Sequence, residues 1–474
     1  MNKELSDFAA RLRERFFVGD DVRSLCSKSA EEMESPNPPT SDYGAAGVGC
    51  YNDRDFDALA LELFALQFRY NPAYQKICRA RGLTPGVVEH WTQIPAVLTA
   101  AFKELELSSI STAERTAVFH SSGTGGQTPS RHFHSAESLA VYEVSLWPWF
   151  ERHVLRSADG SSASSFEARG RAARAPLAVV CLTPPPDLAP HSSLVHMFET
   201  IRSRACESAE SAFLQTRLQR STDLDASKAY GGRVAADGSW SLDYDAVLAA
   251  LNLSLVTRHS SLLLGTAFSF VHLLDYLVET NLRLQLPAWS CVMETGGYKN
   301  RSRTMPKVEL HALITERLGI PPENIICEYG MSELSSQAYD RFAGGLFLPH
   351  PGPLPKEREN GRQSVGETTV AGNSQKRTLL FPLPEGEGQG EGKRAVNAHY
   401  FHFPPWARVQ IISPETGREV AEGETGLIRV FDLANVFSVA AIQTEDLGIR
   451  RGDGFELIGR AALAEARGCS LMAS

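Results

Sequence analysis

Apolar positions recur along the chain in two rhythms. Near the amino end Phe8, Leu12, Phe16 and Phe17 fall three or four residues apart, as do the apolar residues from Phe56 to Tyr70, which predicts helices with one buried face. Short unbroken apolar runs follow at 116–119, 177–182, 261–265, 289–293 and 325–329, separated by helical stretches. Such alternation predicts a largely parallel sheet covered by helices. The most apolar stretch, 262–278, is interrupted by Ser269, His272 and Asp275 and falls short of the ~20 residues of a spanning helix. It predicts a buried strand running into a helix, and no membrane span.

Three stretches break these rhythms. Residues 27–49 and 157–175 are rich in small, polar and glycine or proline residues, and 350–394 combines proline, glycine and charge with little to bury. A segment of the last kind cannot offset an ordering cost of ~1–2 kcal/mol per residue, so a surface excursion is expected there. After it, 406–412 and 426–431 predict strands joined by a turn at 413–417. The expected organisation is an amino-terminal helix and loop at 1–54, an α/β core at 55–349, the insert at 350–394, and a small β-rich unit with a tail at 395–474.

Composition narrows the function classes. Apolar residues make up 43% and charged residues 22% of 474, which suits a folded chain with a sizeable core. The net charge of −9 argues against holding nucleic acid or an anionic membrane, and favours a small ligand. Eight cysteines form no C-x-x-C pair and no metal-like spacing with histidine, so they are expected to be reduced and mostly buried. The charged start, with no apolar signal core after it, predicts cytoplasmic residence.

Candidate chemistry sits in three motifs. The run Ser121, Ser122, Gly123, Thr124, Gly125, Gly126 follows a predicted strand; its glycines let backbone N–H groups approach an anion and its hydroxyls add donors. It suits a phosphate-cradling loop, although it has neither Walker A nor dinucleotide-loop spacing, and a flexible turn is the alternative. The second motif, Tyr329, Gly330, Met331, Ser332, Glu333, ends a strand with an aromatic that can stack on a purine and a carboxylate that can hold Mg²⁺. The third is Thr444, Glu445, Asp446, Leu447, Gly448, with Gly459 and Arg460 beyond. A carboxylate such as Asp446 can accept ribose hydroxyls, and Arg460 can pair with phosphate or carboxylate, while a plain hairpin is the alternative. His120, His191 and His196 lie near predicted strand ends and suit structural or substrate-contact roles, with a general base as the alternative. Lys299, after two glycines, either presents an ammonium to substrate or is a solvated turn residue.

In this order and spacing the motifs resemble the adenylate-forming superfamily of acyl-CoA synthetases, luciferases and adenylation domains. Within it the chain resembles the acyl-protein synthetase (LuxE) family. The narrower likeness is carried by Trp91-Thr92-Gln93-Ile94-Pro95, Ser192-Ser193-Leu194-Val195-His196-Met197, Gly296-Gly297-Tyr298-Lys299, Pro404-Pro405-Trp406-Ala407-Arg408-Val409 and Arg467-Gly468-Cys469-Ser470-Leu471. The chain departs from the superfamily pattern at Gly125, at Ser130-Arg131 where a lysine is usual, and at Glu445.

The resemblance implies an α/β fold: the superfamily's large amino-terminal region of layered α/β subdomains plus a small distorted β-barrel, lacking the mobile carboxy-terminal domain. It also implies ATP and Mg²⁺ as cofactors and a fatty acid or other carboxylic acid as substrate. Ser121, Ser122, Gly123, Thr124, Gly125 and Gly126 would hold phosphates, with Tyr329 and Gly330 at adenine, Glu333 on Mg²⁺, Asp446 on ribose and Arg460 steadying the nucleotide. Lys299 and Cys469 are the catalytic candidates. Cys469 would carry the acyl group as a thioester, because a thiolate is the strongest side-chain nucleophile near neutral pH and the chain has no site for CoA delivered by a mobile domain. The acyl group would pass to a reductase or carrier protein. An adenylating ligase for an aryl or other small acid, and an inactive paralogue serving as a binding module, are the alternatives.

Overall fold

The structure, a computed structural model, describes residues 2–17, 53–121, 128–155, 177–205, 230–235, 239–296, 305–341 and 400–461. All of these belong to one unit. The expected insert 350–394 and the stretches 27–49 and 157–175 lie outside the described residues.

Both expected amino-terminal helices form. Helix α1 (Lys3–Phe17) buries Leu5, Phe8, Leu12 and Phe16 on one face, and α2 (Asp53–Tyr70) buries Phe56, Leu59, Leu63 and Phe64. Asn71 caps α3 (Pro72–Ala80) by accepting the Tyr74 N–H at 3.1 Å, and proline follows it where no N–H is needed. The short strand β1 (Val97–Leu98) and helix α4 (Ala101–Glu104) lead to a hairpin of β2 (Ala117–His120) and β3 (Arg131–His134). Helix α5 (Ala136–Val154) starts from a reciprocal Ser135–Ser138 capping box.

The larger sheet comes next in the chain. Its elements are β4 (Leu177–Cys181), α6 (Ser193–Ala205), a hairpin of β5 (Gly232–Val234) and β6 (Trp240–Leu242), α7 (Tyr244–Thr257), β7 (Ser260–Thr266), α8 (Ala267–Glu279), β8 (Cys291–Thr295), α9 (Lys307–Leu318), β9 (Ile325–Tyr329) and β10 (Ala338–Tyr339). The hydrogen-bonded order is β10-β9-β8-β7-β4, with β10 antiparallel and every other pair parallel. Strands β7, β8 and β9 are buried throughout, which is why they read as apolar runs rather than alternating ones. On one face Val180, Leu263, Val292 and Ile325 pack with Leu274, Leu277, Leu310 and Ile314 of α8 and α9; Val179, Leu262, Leu264 and Met293 join the core that includes α1, α2 and α5. The run at 289–293 becomes strand only from Cys291, because a turn bonds Ser290 N–H to the Pro287 carbonyl at 2.9 Å and leaves Trp289 exposed.

The carboxy-terminal unit is a second sheet of five strands. Strands β11 (Ala407–Ile412), β12 (Thr425–Asp432) and β13 (Ala441–Arg451) are antiparallel neighbours, and β14 (Gly454–Arg460) folds back on β13. β1 pairs parallel with the start of β13, Val97 opposite Ile442. Thus a two-residue strand from the first hundred residues completes the last sheet.

Described residues on either side of 342–399 meet directly. Tyr339 and His402 exchange both backbone bonds, at 3.2 and 3.0 Å, and Phe401 bonds Phe455 in the same way at 2.7 and 3.1 Å. The chain that returns at Tyr400 therefore stitches the two sheets together. A closure pinned on both sides tolerates a change of loop length at a cost that grows only logarithmically. Excision of 350–394 is expected to alter unfolding free energy by only about 1–1.5 kcal/mol. A loss above ~3 kcal/mol in denaturant unfolding would make that segment part of the core.

A second expectation comes from Glu328 on β9. Its side chain is buried and accepts the hydroxyl of Thr295, its register partner on β8. Burial pushes its carboxyl from 4.5 up to about 7, Glu294 adding to the rise and the Thr295 bond opposing it. A carboxyl raised on folding stabilises the protein below its unfolded pKa, and that contribution is lost as pH climbs from 4.5 to about 7. The loss amounts to roughly 3 kcal/mol. In Glu328→Gln the fall in stability across this window should shrink by about that amount, as read from denaturant unfolding at its two ends. Equal falls in both proteins would place Glu328 at an ordinary carboxylate value.

Candidate functional site

The three sequence motifs meet at the junction of the two sheets. The β2–β3 hairpin continues past its last register pair, His120 with Arg131, through Ser121. Ser121 N–H donates to the Ser130 carbonyl at 3.2 Å, and Ser130 N–H donates back to Ser121 Oγ at 3.0 Å. These bonds pin both feet of the glycine-rich loop, whose Ser122, Gly123, Thr124, Gly125 and Gly126 lie outside the described residues. Lys299 and Cys469 lie outside them as well.

From the foot of that loop the Ser130 hydroxyl donates to Glu333 Oε1 at 2.8 Å, joining the first motif to the second. Both residues are 1% exposed. Beside them His132 donates Nδ1–H to the Ser332 carbonyl at 2.5 Å. Burial lowers the His132 pKa, so the ring is neutral and the proton it retains is the one the carbonyl requires. Gly330 has a local reason: a Cβ there would collide with the buried Glu328 carboxylate, which a larger residue would have to displace.

The second motif joins the third through Tyr329. Its hydroxyl donates to Asp446 Oδ2 at 2.9 Å, and its ring is fenced by Phe401, Phe403 and Phe455 at centroid distances of 6.1, 6.2 and 5.2 Å, all steeply tilted. Asp446 faces Arg460 across β13 and β14; Arg460 Nε lies 3.4 Å from Asp446 Oδ1 and Nη2 lies 3.3 Å from Glu445 Oε2. The ladder bulges immediately after, between Leu447 and Gly448, the kind of irregularity that re-aims side chains at sites. Thr444 holds the turn of the strand: its hydroxyl donates to the Ile428 carbonyl at 2.7 Å and accepts the Asp446 N–H at 3.2 Å.

Several residues that hold the site carry no sequence motif. Asp432, at the end of β12, accepts from Ser335 N–H at 2.9 Å, from Ser336 N–H at 2.8 Å and from Ser336 Oγ at 2.7 Å. Asn435 donates to the Glu333 carbonyl at 2.7 Å and accepts the Ser335 hydroxyl at 2.6 Å. The visible signal was a polar pair, Asp432 and Asn435, inside an otherwise apolar run from 430 to 437, which marks a buried turn but not its partner.

The chemistry this arrangement supports is recognition of an anionic ligand with a polar sugar. Arg460 Nη1 beside Asp446 is buried with no hydrogen-bond partner among the described residues, whereas the Arg131 guanidinium at the loop's foot is turned to Glu106 at 3.8 Å. Buried donors without partners are costly, and a bound phosphate would satisfy them. Asp446 retains lone pairs beyond those taken by Tyr329 and Arg460, enough to accept a hydroxyl. Glu333 offers carboxylate oxygens, the hard donors that Mg²⁺ takes. His120 and His191 stack on one another at 4.8 Å, and His196 pairs with Glu143 at 3.1 Å, next to Phe119. Among the described residues no helix is long and apolar enough to cross a membrane.

No family model matches the chain. Over 79 residues it is 34% identical to the long-chain-fatty-acid–luciferin-component ligase of Aliivibrio fischeri, a match covering 15% of this chain and 21% of that protein. The chain thus matches about a fifth of the length of that curated relative. In structure it is similar to 2-hydroxyisobutyryl-CoA ligase in complex with 2-HIB-AMP and CoA in the thioesterification state, with a TM-score of 0.50 and 11% identity over 90% of this chain and 73% of that one. That likeness is one of fold.

Proposed function

We propose that the protein activates a carboxylic acid, a long-chain fatty acid, by ATP-dependent formation of an acyl-adenylate and then carries the acyl group as a thioester on Cys469. The observation that supports this reading most strongly is the convergence of three motifs distant in sequence: Ser130 bonds Glu333, and Tyr329 bonds Asp446, which pairs with Arg460. The partial likeness to a luciferin-component ligase favours the fatty acid and the acyl-protein family.

In the first step a carboxylate oxygen of the acid attacks the α-phosphorus of ATP, a new O–P bond forms and the bond to pyrophosphate breaks. The protein's task is to hold the reactants in line and to oppose the charge that gathers on phosphate. Residues 121–126 would supply backbone and hydroxyl donors to the phosphates, with Arg131 at their foot. Asp446 would accept the ribose hydroxyls, and Tyr329 and Gly330 would line the adenine side. Lys299 would face the substrate carboxylate. Mg²⁺, when held by Glu333, supplies further neutralisation of phosphate oxygens. In the second step the Cys469 thiolate attacks the acyl carbon, the C–O bond to AMP breaks, and AMP leaves. The thioester then suits transfer to a reductase or carrier protein.

Acid-dependent exchange of labelled pyrophosphate into ATP tests the first step. Glu333→Gln keeps an acceptor for Ser130 but loses a charged metal ligand, so exchange should fall by about 100-fold or more while the thermal transition is little changed. Undiminished exchange in a folded Glu333→Gln protein would sink the assignment. A panel of long-chain, aryl and short acids in the same assay should favour the long-chain acids.

The second step has its own readout. Incubation with ATP and labelled fatty acid should leave a hydroxylamine-labile label on the full chain, absent from Cys469→Ala although that variant still exchanges pyrophosphate. Full labelling of the alanine variant would assign the acceptor elsewhere.

A further inference from the structure

Cysteine and histidine spacing predicts no metal site, yet among the described residues the fold assembles a set of metal-ligating side chains away from the three sequence motifs. Glu294 on β8 and Cys327 on β9 are register partners, so their side chains emerge on the same face of the parallel sheet. Helix α9 covers that face and brings His311 over them, one turn beyond Lys307. Cys327 Sγ lies 2.8 Å from Glu294 Oε1, His311 Nε2 lies 3.4 Å from the same oxygen, and Sγ and Nε2 are 3.8 Å apart. Glu294 and Cys327 are buried and His311 is partly so.

We propose that Glu294, His311 and Cys327 bind a zinc-class divalent metal ion. With bonds of about 2.3 Å to sulfur and about 2.0–2.2 Å to nitrogen and oxygen, tetrahedral angles separate ligand atoms by roughly 3.3–3.6 Å. Two edges of the observed triangle already match this, and the sulfur–oxygen edge needs to open by only about 0.7 Å. Thiolate, imidazole and carboxylate together suit zinc-like ions, whereas Mg²⁺ and Ca²⁺ take oxygen alone. The fourth position falls to water on the side where His311 reaches solvent.

The surroundings complete the site. The Lys307 ammonium pairs with Asp340 at 3.4 Å, while Asp340 Oδ1 accepts the Cys327 N–H at 2.8 Å. On binding, the Cys327 S–H bond breaks and its proton leaves to solvent, while His311 ligates through Nε2 with its proton on Nδ1. A dication with one thiolate and one carboxylate is neutral, and Asp340, held by Lys307, fixes the Cys327 backbone behind the bound sulfur, an outer-shell contact of the kind that orients metal ligands. The ion would clamp α9 to β9 two residues before Tyr329. Nucleophilic catalysis is the poorer use of this cysteine, because burial pushes its thiol well above the ordinary range and keeps it protonated.

The test uses the full chain, purified without an added metal-binding tag, stripped with chelator and titrated with Co²⁺. One equivalent should bind with tetrahedral visible bands and a thiolate-to-cobalt band in the near ultraviolet, both bleached by Zn²⁺. Cys327→Ser should remove the thiolate band, and His311→Ala and Glu294→Gln should each weaken binding by at least ~10-fold. Cys291→Ser, also buried on β8, should leave the titration unchanged. Far-ultraviolet circular dichroism identifies the folded variants, and His311→Ala changes the most exposed of the three ligands. Absence of a tetrahedral spectrum in the folded parent protein, a thiolate band that survives Cys327→Ser, or unweakened binding in His311→Ala each overturns the proposal.

Discussion

The candidate site hangs on how the loop between β9 and β10 is held against the end of β12. There Asp432, with no exposed surface, accepts two backbone N–H groups and a hydroxyl from Ser335 and Ser336, and a further N–H from Ala434 at 3.0 Å. Burial raises its pKa even so, the bonds from Ser336, Ala434 and Ser335 offsetting part of the cost. Each donor left unpaired in such a place costs about 1–3 kcal/mol, so the carboxylate and the loop define one another's position. Trp406 extends the same network, its indole N–H reaching Ser336 Oγ at 3.1 Å from full burial.

That network reaches outward to the helices. Gln67 on α2 donates to the Asn435 carbonyl at 2.8 Å and accepts the Ala440 N–H at 3.0 Å, while Asn71 donates to the Ser438 carbonyl at 3.3 Å. The turn between β12 and β13 is thereby fixed from both sides, by helix amides and by the loop that carries Glu333. A buried polar network that is this fully paired specifies one arrangement, since a shifted alternative would strand several groups at once. This is how the carboxy-terminal sheet, which carries Asp446 and Arg460, comes to stand in a defined place beside Tyr329.

Strand β9 presents two kinds of chemistry along its length. At its end, Tyr329 hands a hydroxyl to Asp446 and leads to Glu333, an environment of oxygen donors suited to a hard cation and to phosphate. Two residues earlier Cys327 faces Glu294 and His311 under α9, an environment that includes sulfur and nitrogen and suits a softer ion. Between them Glu328 points to the opposite face, onto Thr295. Cys327 and Tyr329, two residues apart, share a face of the strand, so the two sets of donors are separated along its length rather than across the sheet.

By itself the sequence determined the class of fold, the principal strands and helices, and the three motifs. Buried parallel strands such as Ser260–Thr266 and Ile325–Tyr329 are legible because each carries an unbroken apolar run, Leu262 to Leu264 and Ile325 to Cys327, and α1 and α2 because their apolar residues repeat with the helical period. Hydroxyls, glycines and carboxylates were equally legible as candidates, since Ser121, Tyr329, Glu333, Asp446 and Arg460 each carry chemistry in their own right. Only the tertiary structure decided which of them meet. That Ser130 touches Glu333, that a two-residue strand at Val97–Leu98 closes the last sheet, and that Glu294, His311 and Cys327 share one face all depend on sheet order and register. Those are set by long-range pairing and by the packing of α9 on the sheet, interactions between residues whose separation along the chain leaves no local periodicity to read.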